Sequence, residues 1–194
     1  MRIIKLTAVN SVAGLNKLAA VLLSGQVVLL PTDTIYGLSC LASNETALRR
    51  ILEIKGRAEN KPLISLVNSW AMVERYAIIE PKVRTYLSSV WPGPVTAILP
   101  SRQHLPAVVT GGLPNIALRW PKNEWLNKLI TLVDQPIIST SANLTGQAPI
   151  ASLVEVEKYF IDVAPDLAID AGILNNPPSR IVDCQDPLQI KIIR

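Results

Sequence analysis

Cysteine and histidine are scarce in this chain. Two cysteines and one histidine among 194 residues are too few for a disulfide framework or a zinc site, and a histidine-based catalytic triad is not expected. We therefore interpret Cys40 and Cys184 as buried free thiols and His104 as an exposed loop residue. No side chain is predicted to ligate a metal ion.

Long apolar runs are absent as well. No stretch approaches the roughly 20 uninterrupted apolar residues of a membrane span. Residues 1–7 lack the apolar core and the small-residue cleavage site of a signal peptide. These absences predict a cytoplasmic protein that makes no contact with a membrane.

The sequence also lacks two Gly-rich phosphate motifs, G-x-x-x-x-G-K-[ST] and G-x-G-x-x-G. If ATP binds, side chains rather than a Gly-rich loop must therefore hold its phosphates. Aromatic residues make up 5% of the chain and form no run, which argues against stacking on single-stranded bases. The net charge of +4 fits an anionic partner such as ATP or RNA.

Apolar residues are plentiful, at 49% of the total. This content is ample for one domain over residues 1–194 with a well-filled core, and no repeat or flexible linker divides the chain. Helical and strand patterns alternate along the sequence. They predict an α/β fold, a twisted open mixed sheet flanked by helices.

Turn and cap residues bound the predicted elements. Helices are predicted over residues 12–24, 44–55, 69–77, 81–90 and 123–133, and a last one begins near Ser152. Strands are predicted over residues 26–30, 62–67, 95–99, 115–120 and 136–138, and near Leu167, Ile181 and Ile190. Asn44 and Asn123 are the expected N-caps, and Gly56 is the expected C-cap of the second helix.

Two of these strands run directly into segments rich in hydroxyl groups. Residues 136–138 lead into Ser139-Thr-Ser-Ala-Asn-Leu-Thr-Gly146, and residues 26–30 lead into Pro31-Thr-Asp-Thr-Ile-Tyr-Gly37. In open α/β sheets, ligands bind beyond the carboxyl ends of strands, so both segments predict a site for a polar ligand. An ordinary turn would explain either segment alone, but the presence of two favours a binding site.

Three cations, Lys55, Arg57 and Lys61, lie within seven residues at the end of the second predicted helix. Side chains two apart on one helix point away from each other, but a break at Gly56 allows Lys55 and Arg57 to converge. A convergent cationic loop suits a polyphosphate. The alternative for Lys55 is a solvated residue at a helix C-terminus, where the helix dipole favours a cation.

The motifs taken together resemble those of the YrdC family. In chain order they are Pro31-Thr-Asp-Thr-Ile-Tyr-Gly-Leu38, Lys55-Gly-Arg57, Trp91-Pro-Gly-Pro-Val-Thr96, Ala117-Leu-Arg119 and Ser139-Thr-Ser-Ala-Asn-Leu-Thr-Gly146. The resemblance covers residues 26–183 and is to the short, single-domain bacterial members. It implies an open α/β fold with a large concave basic cleft.

The activity that the resemblance implies is L-threonylcarbamoyladenylate synthesis. L-Threonine, bicarbonate or CO2, and ATP with Mg2+ would give threonylcarbamoyl-AMP and pyrophosphate, which makes the chain a nucleotidyltransferase. The product would pass to a separate transferase complex that modifies tRNA beside the anticodon.

Individual roles follow from the same resemblance. The residues implied for threonine binding are Thr34, Arg119 and Ser141, with Thr32 and Tyr36 as wall residues. The residues implied for ATP binding are Lys55, Arg57, Lys61, Ser139, Asn143 and Ser179. Lys55 and Arg57 are also the implied catalytic residues, because cations neutralise the charge on departing pyrophosphate. Arg119 would bind the threonine carboxylate as a bidentate fork. The alternatives are a surface arginine for Arg119 and a core residue for Tyr36.

The sequence departs from the family pattern at three positions. Leu66 stands where many relatives carry histidine, Ala151 where a polar nucleotide contact can occur, and Arg180 in place of a threonine. We also expect no counterpart of the C-terminal domain of longer family members.

Other functions remain open at this point. One is a double-stranded RNA or tRNA-binding or ribosome-maturation factor without synthase activity, which would contact RNA backbone and shape. Another is a paralogue that uses a different acceptor. The residues implied for threonine binding, Thr34, Arg119 and Ser141, distinguish a synthase from an RNA-binding protein, because an RNA-binding protein has no need of them.

Overall fold

The computed structural model describes residues 1–160 and 163–194. Its strands are β1 (Arg2–Lys5), β2 (Val28–Pro31), β3 (Tyr36–Leu41), β4 (Ile64–Leu66), β5 (Val95–Pro100), β6 (Asn115–Arg119), β7 (Ile137–Ser141), β8 (Leu167–Asp170), β9 (Arg180–Asp183) and β10 (Lys191–Ile192). All belong to one sheet with the spatial order β1-β8-β2-β3-β7-β4-β6-β5-β9-β10. The sheet is mixed, because it contains both parallel pairs, such as β4 with β6, and antiparallel pairs, such as β3 with β7.

Helices accompany the sheet throughout. They are α1 (Leu6–Val9), α2 (Val12–Leu23), α3 (Glu45–Lys55), α4 (Trp70–Tyr76), α5 (Pro81–Val90), α6 (Ala107–Thr110), α7 (Glu124–Val133) and α8 (Val156–Tyr159), and a 3-10 turn at Leu153–Glu155 precedes α8. None of the described helices combines the length and the apolar character needed to cross a membrane. The predicted fold class, a mixed α/β fold with helices flanking a large sheet, is confirmed.

The core forms where the helices bury one apolar face each. Leu15, Leu18 and Leu22 of α2 recur at helical spacing and are all buried, and Leu126 and Leu129 of α7 are buried in the same way. Strands β2 and β3 are buried along their whole length, which fits their central place in the sheet. Cys40 and Cys184 are both buried and unpaired, as predicted.

The predicted helix caps are confirmed by hydrogen bonds. Asn44 Oδ1 accepts the N–H of Ala47 at 2.9 Å, and Asn123 Oδ1 accepts the N–H of Leu126 at 3.0 Å. Gly56 ends α3 with a left-handed φ of 56°, which a residue without Cβ adopts at little cost. The chain therefore turns sharply between Lys55 and Arg57.

Strands β1 and β3 and the short helices α1 and α6 were not predicted. The segment after Pro31 was interpreted as one polar loop, but from Tyr36 the chain returns as β3, antiparallel to β2. Gly37 and Ser39 interrupt the apolar pattern of β3 and so hid the strand. Gly37 must be small because a Cβ there would lie 2.1 Å from Ser139 Oγ on the neighbouring strand β7.

The sheet brings the two hydroxyl segments together. In the antiparallel pair of β3 and β7, Gly37 lies opposite Ser141, so the start of β3 adjoins the end of β7. Arg119 ends β6, two strands further along the sheet. Strands β6 and β7 run antiparallel, because β4 is parallel to β6 and antiparallel to β7, so their carboxyl ends lie at opposite edges of the sheet. The site was expected beyond the carboxyl ends of strands, but the cavity lies over one face of the sheet, where alternate residues such as Ala117 and Arg119 of β6 and Ser139 and Ser141 of β7 line it.

Candidate active site

The cavity has a volume of about 530 Å³, within the range of small-molecule sites. Every residue predicted for the site lines it except Lys55 and Lys61. Three arginines, Arg57, Arg119 and Arg194, are among the lining residues, and no carboxylate side chain is. The cavity therefore suits an anionic ligand.

Arg119 lies at one end of the cavity and is 5% exposed, so the alternative of a surface arginine is wrong. Its Nη1 donates to Thr34 Oγ1 at 2.9 Å, and its Nη2 donates to Asp33 Oδ1 at 2.7 Å. Burial lowers the pKa of Arg119, and the Asp33 carboxylate opposes that shift. The guanidinium is thus fixed in place before any ligand is bound. We call this part of the cavity, formed by Thr32, Thr34 and Arg119, the threonine end, after the ligand that the family resemblance predicts for it.

The Trp91-Pro-Gly-Pro corner supports Arg119 from the opposite side. The carbonyl of Gly93 accepts a hydrogen bond from Arg119 Nε at 3.3 Å, and the N–H of Gly93 donates to the carbonyl of Trp120 at 2.8 Å. A Cβ on Gly93 would lie 2.4 Å from the carbonyl oxygen of Val90, so glycine is required there. The motif therefore has a structural role in holding Arg119.

Thr32, Thr34 and Tyr36 line the cavity beside Arg119. The hydroxyls of Thr32 and Thr34 hydrogen-bond each other at 2.9 Å, and Thr32 Oγ1 also accepts the N–H of Thr34. Tyr36 is fully buried, and its hydroxyl donates to the carbonyl of Gly172 at 2.8 Å and accepts the N–H of Ala171 at 2.9 Å. Burial raises the pKa of Tyr36. Tyr36 is both a core residue and a wall residue, so its two interpretations are compatible.

Arg57 lies at the other end, beyond the left-handed turn at Gly56. Its Nη2 donates to the carbonyl of Pro62 at 2.8 Å, while the contact of Nη1 with Thr140 Oγ1 is long at 3.4 Å. Arg57 Nε is buried and has no hydrogen-bond partner among the residues that the structure describes. Burial lowers the pKa of this guanidinium. We call this part, formed by Arg57, Ser139 and Asn143, the phosphate end, after the ligand that the family resemblance predicts for it.

Lys55 is buried beneath the phosphate end instead of lining the cavity. It is 3% exposed, so the alternative of a solvated helix-end lysine is wrong. Its Nζ donates to the carbonyls of Ser141 and Asn143 at 2.5 and 2.9 Å and to Asn143 Oδ1 at 2.8 Å. Burial is the main cause that lowers the pKa of Lys55 from 10.5 to about 8, and the positive charge of Arg57 is the second cause.

The backbone of Lys55 makes further bonds to the same loop. Its carbonyl accepts both the N–H and the hydroxyl of Thr145, at 2.9 and 2.8 Å. Ser141 Oγ donates to Asn143 Oδ1 at 2.6 Å. The same amide oxygen accepts Lys55 Nζ, so the side chains of Ser141, Asn143 and Lys55 are joined by hydrogen bonds. The end of α3 and the loop after β7 form one hydrogen-bonded unit.

Lys61 is exposed and lies outside the lining residues. Ser179 is buried at the far wall, where its hydroxyl bonds that of Thr96 at 2.9 Å and its carbonyl accepts Arg194 Nη2 at 3.1 Å. Sequence reasoning missed Thr96 and Arg194 as lining residues. Thr96 closes the motif that begins at Trp91, which was a usable signal, whereas nothing in the sequence pattern distinguishes Arg194.

Potential metal ligands are not clustered in the described residues, and the histidine does not line the cavity. In the ranges 1–160 and 163–194, no group of three or more His, Cys, Asp or Glu is placed to hold a metal ion. His104 lies outside the lining residues, and its Nδ1 is 2.9 Å from the carbonyl oxygen of Arg75.

Comparison with known proteins decides the family. The Sua5/YciO/YrdC family model, described as "Telomere recombination", matches residues 20–194. The chain belongs to the Sua5/YciO/YrdC family. A curated threonylcarbamoyl-AMP synthase from Klebsiella pneumoniae is 35% identical over 81% of this chain and 85% of its own length. One from Pyrococcus abyssi is 40% identical over 70% of this chain, which spans 40% of that longer protein.

Solved structures of the family share the fold. Pyrococcus abyssi Sua5 complexed with L-threonine is 34% identical and superposes with a TM-score of 0.85 over 94% of this chain and 54% of its own. Escherichia coli YciO superposes with a TM-score of 0.83 at 22% identity, which shows the fold alone. The Sua5/YciO/YrdC resemblance drawn from five motifs is therefore confirmed.

Proposed function

We propose that this chain is a threonylcarbamoyl-AMP synthase, a nucleotidyltransferase that converts L-threonine, bicarbonate or CO2, and ATP to threonylcarbamoyl-AMP and pyrophosphate. The single observation that carries the proposal is that one cavity contains both a group suited to an amino acid and a group suited to a phosphate. A buried Arg119–Thr34 pair at one end suits an amino acid, and Arg57 at the other suits a phosphate. Curated relatives with this name that match most of the chain support it.

At the threonine end, Arg119 receives the substrate carboxylate. A guanidinium binds a carboxylate with two parallel hydrogen bonds, which fixes orientation as well as supplying energy. Thr32, Thr34 and Ser141 also line the cavity, and their hydroxyls suit the amine and hydroxyl of threonine. The Pyrococcus abyssi relative solved with L-threonine supports this substrate.

At the phosphate end, Arg57 binds the phosphates of ATP. Its buried Nε has no partner among the described residues, which is costly, so a shift of the side chain that presents Nε to a phosphate oxygen would be favourable. Ser139, Asn143 and Ser179 supply further polar contacts to the nucleotide. Lys55 acts mainly by holding the Ser141–Asn143 loop in position, and Lys61 meets the phosphates only if its exposed side chain swings inward.

The chemistry requires alignment more than acid or base groups. The threonine amine combines with bicarbonate, losing water, to give a carbamate whose oxygen attacks the α-phosphorus of ATP. A P–O bond forms, the bond to the β-phosphate oxygen breaks, and pyrophosphate leaves with its electron pair. Arg57 stabilises the charge that develops on the leaving group.

Mg2+ would accompany ATP. The cavity offers hydroxyls and amides without a lining carboxylate among its described residues, so phosphate oxygens and water would supply most of the ligands, as Mg2+ accepts readily. The ion would neutralise phosphate charge beside Arg57.

Pyrophosphate release from ATP by the purified protein tests the proposal. Threonine and bicarbonate are omitted in turn, and serine replaces threonine in a parallel assay. Release that requires both substrates is expected. Release without threonine would indicate another acceptor, and no release combined with salt-sensitive binding of duplex RNA would favour the RNA-binding alternative.

A further inference from the structure

Asp33 holds Arg119 from behind the cavity wall. The residues on either side of it, Thr32 and Thr34, line the cavity, but Asp33 does not. Its Oδ1 accepts Arg119 Nη2 at 2.7 Å, and the two side chains are 12% and 6% exposed. The carboxylate therefore contacts the guanidinium without bordering the space that a ligand would occupy.

The second carboxylate oxygen is also engaged. Asp33 Oδ2 accepts the backbone N–H of Lys122 at 3.1 Å, and the Asp33 carbonyl accepts Asn176 Nδ2 at 3.0 Å. Asp33 thus connects the β2–β3 turn with the segment after β6 and with the segment before β9. These bonds fix the carboxylate, so it acts as a rigid support for the guanidinium.

Three of the five N–H donors of Arg119 are occupied. They bond Asp33 Oδ1, Thr34 Oγ1 and the Gly93 carbonyl. Asp33 and Thr34 each accept one N–H, so each Nη keeps one N–H without a partner among the residues that the structure describes. Two free N–H groups on the two terminal nitrogens are what a bidentate carboxylate requires.

We propose that Asp33 is the positioning residue that fixes Arg119 for recognition of the amino acid carboxylate, and so sets the preference for an α-amino acid. The proposal rests on the proposed function. Asp33 contacts Arg119 and not the substrate. Its charge also makes the buried guanidinium tolerable, since an unpaired buried cation is strongly destabilising.

Competition between Asp33 and the substrate is the opposite possibility. If the substrate carboxylate had to displace Asp33, removing its charge would strengthen threonine binding. The bond to Lys122 and the absence of Asp33 from the cavity lining disfavour displacement. The two possibilities predict changes of opposite sign.

The substitution Asp33→Asn separates them. The amide oxygen can serve Arg119 or the Lys122 N–H, but the amide NH2 cannot accept from the other, so one bond is lost. The control is Asp166→Asn, which removes the charge of another aspartate–arginine pair: Asp166 Oδ2 accepts Arg50 Nη1 at 2.6 Å and the N–H of Val27 at 2.9 Å, and one amide oxygen can keep both bonds. Asp166 lies outside the cavity lining.

The measurements are kcat, KM for threonine, KM for ATP and thermal unfolding for both variants. Threoninol, which lacks the carboxylate, is tested beside threonine. For Asp33→Asn we expect KM for threonine to rise about tenfold or more, KM for ATP to stay unchanged, and the preference for threonine over threoninol to fall by a similar factor. Asp166→Asn should leave both Michaelis constants and the preference unchanged.

Two outcomes would overturn the proposal. One is an unchanged or lower KM for threonine in Asp33→Asn, and the other is an equal rise in both Michaelis constants that Asp166→Asn reproduces. Calorimetric binding of threonine by Asp33→Asn supplies an answer if turnover becomes too slow. Failure of the proposed function is recognised separately, because the wild-type protein would then show no threonine-dependent pyrophosphate release.

Discussion

The two ends of the cavity differ in how many hydrogen bonds the protein makes to the arginine at each end. At the threonine end, Arg119 has three protein partners, one of them a buried carboxylate. At the phosphate end, Arg57 has one good hydrogen bond, one long contact and a buried Nε that no described residue satisfies. Arg119 is buried and its charge is compensated by Asp33, whereas Arg57 is half-buried and its Nε is unmet.

This difference indicates how each end meets its ligand. A fully supported guanidinium needs no rearrangement to receive a carboxylate, so its binding energy is not spent on ordering side chains. A guanidinium with an unmet donor gains that hydrogen bond when a phosphate arrives. We therefore interpret the threonine end as preformed and the phosphate end as completed by ATP.

Removing Arg119 should have the largest effect. Arg119→Ala is expected to raise KM for threonine about a hundredfold. It should also lower the free energy of unfolding by about 3 kcal/mol, because Asp33 is left as a buried unpaired charge. Steady-state kinetics and denaturant unfolding measure the two effects. Normal stability and normal threonine binding in Arg119→Ala would contradict the claim that this end of the cavity is held by a bonded arginine.

Removing Arg57 should weaken function without weakening the fold. Arg57→Ala is expected to raise KM for ATP about tenfold and to change the free energy of unfolding by less than about 1 kcal/mol, since the side chain has only one good hydrogen bond. The same two assays apply, with Arg119→Ala as the counterpart. A loss of stability equal to that of Arg119→Ala would contradict the proposed difference.

Raising the pH should loosen the phosphate end through Lys55. Its pKa is lowered to about 8, so the ammonium is protonated at pH 7 and mostly neutral at pH 9. A neutral amine has two N–H donors for the three oxygens that it now bonds. We expect KM for ATP to rise a few-fold over this interval, measured at saturating bicarbonate and threonine.

Lys55→Arg is the control for that profile. Arginine stays charged throughout the range, so its KM for ATP, whatever its absolute value, should not rise between pH 7 and pH 9. Parallel profiles for the two proteins would show that a different group titrates.

Lys61→Ala should give the smallest effect. The side chain is exposed and outside the cavity lining, so we expect KM for ATP to change by about threefold or less and the change to shrink in salt. An effect as large as that of Arg57→Ala would mean that Lys61 moves inward when ATP binds.

Much of this arrangement could be predicted from the sequence. Caps at Asn44, Gly56 and Asn123 have local causes, and the structure confirms them. The motif residues identified the family because five motifs occur in a fixed order. The predicted contacts of Thr34, Arg119, Ser141 and the ATP-binding residues with substrate stay predictions until they are tested.

Long-range pairing limited what could be predicted. Strand β3 was hidden because Gly37 and Ser39 break its apolar pattern, and only its neighbour β7 explains why a small residue is needed. Asp33 was interpreted as one polar residue in a loop, because its partners Arg119 and Lys122 lie more than 80 residues away in the chain. The bonding of Lys55 depends in the same way on a distant loop.

Calorimetric titration of threonine into the nucleotide-free protein tests the central claim most directly. If the threonine end is preformed, threonine binds without ATP, with an affinity that Arg57→Ala leaves unchanged and Arg119→Ala weakens about a hundredfold. Threonine binding that requires ATP, or that Arg57→Ala weakens as much as Arg119→Ala, would contradict the claim that only the phosphate end awaits its ligand.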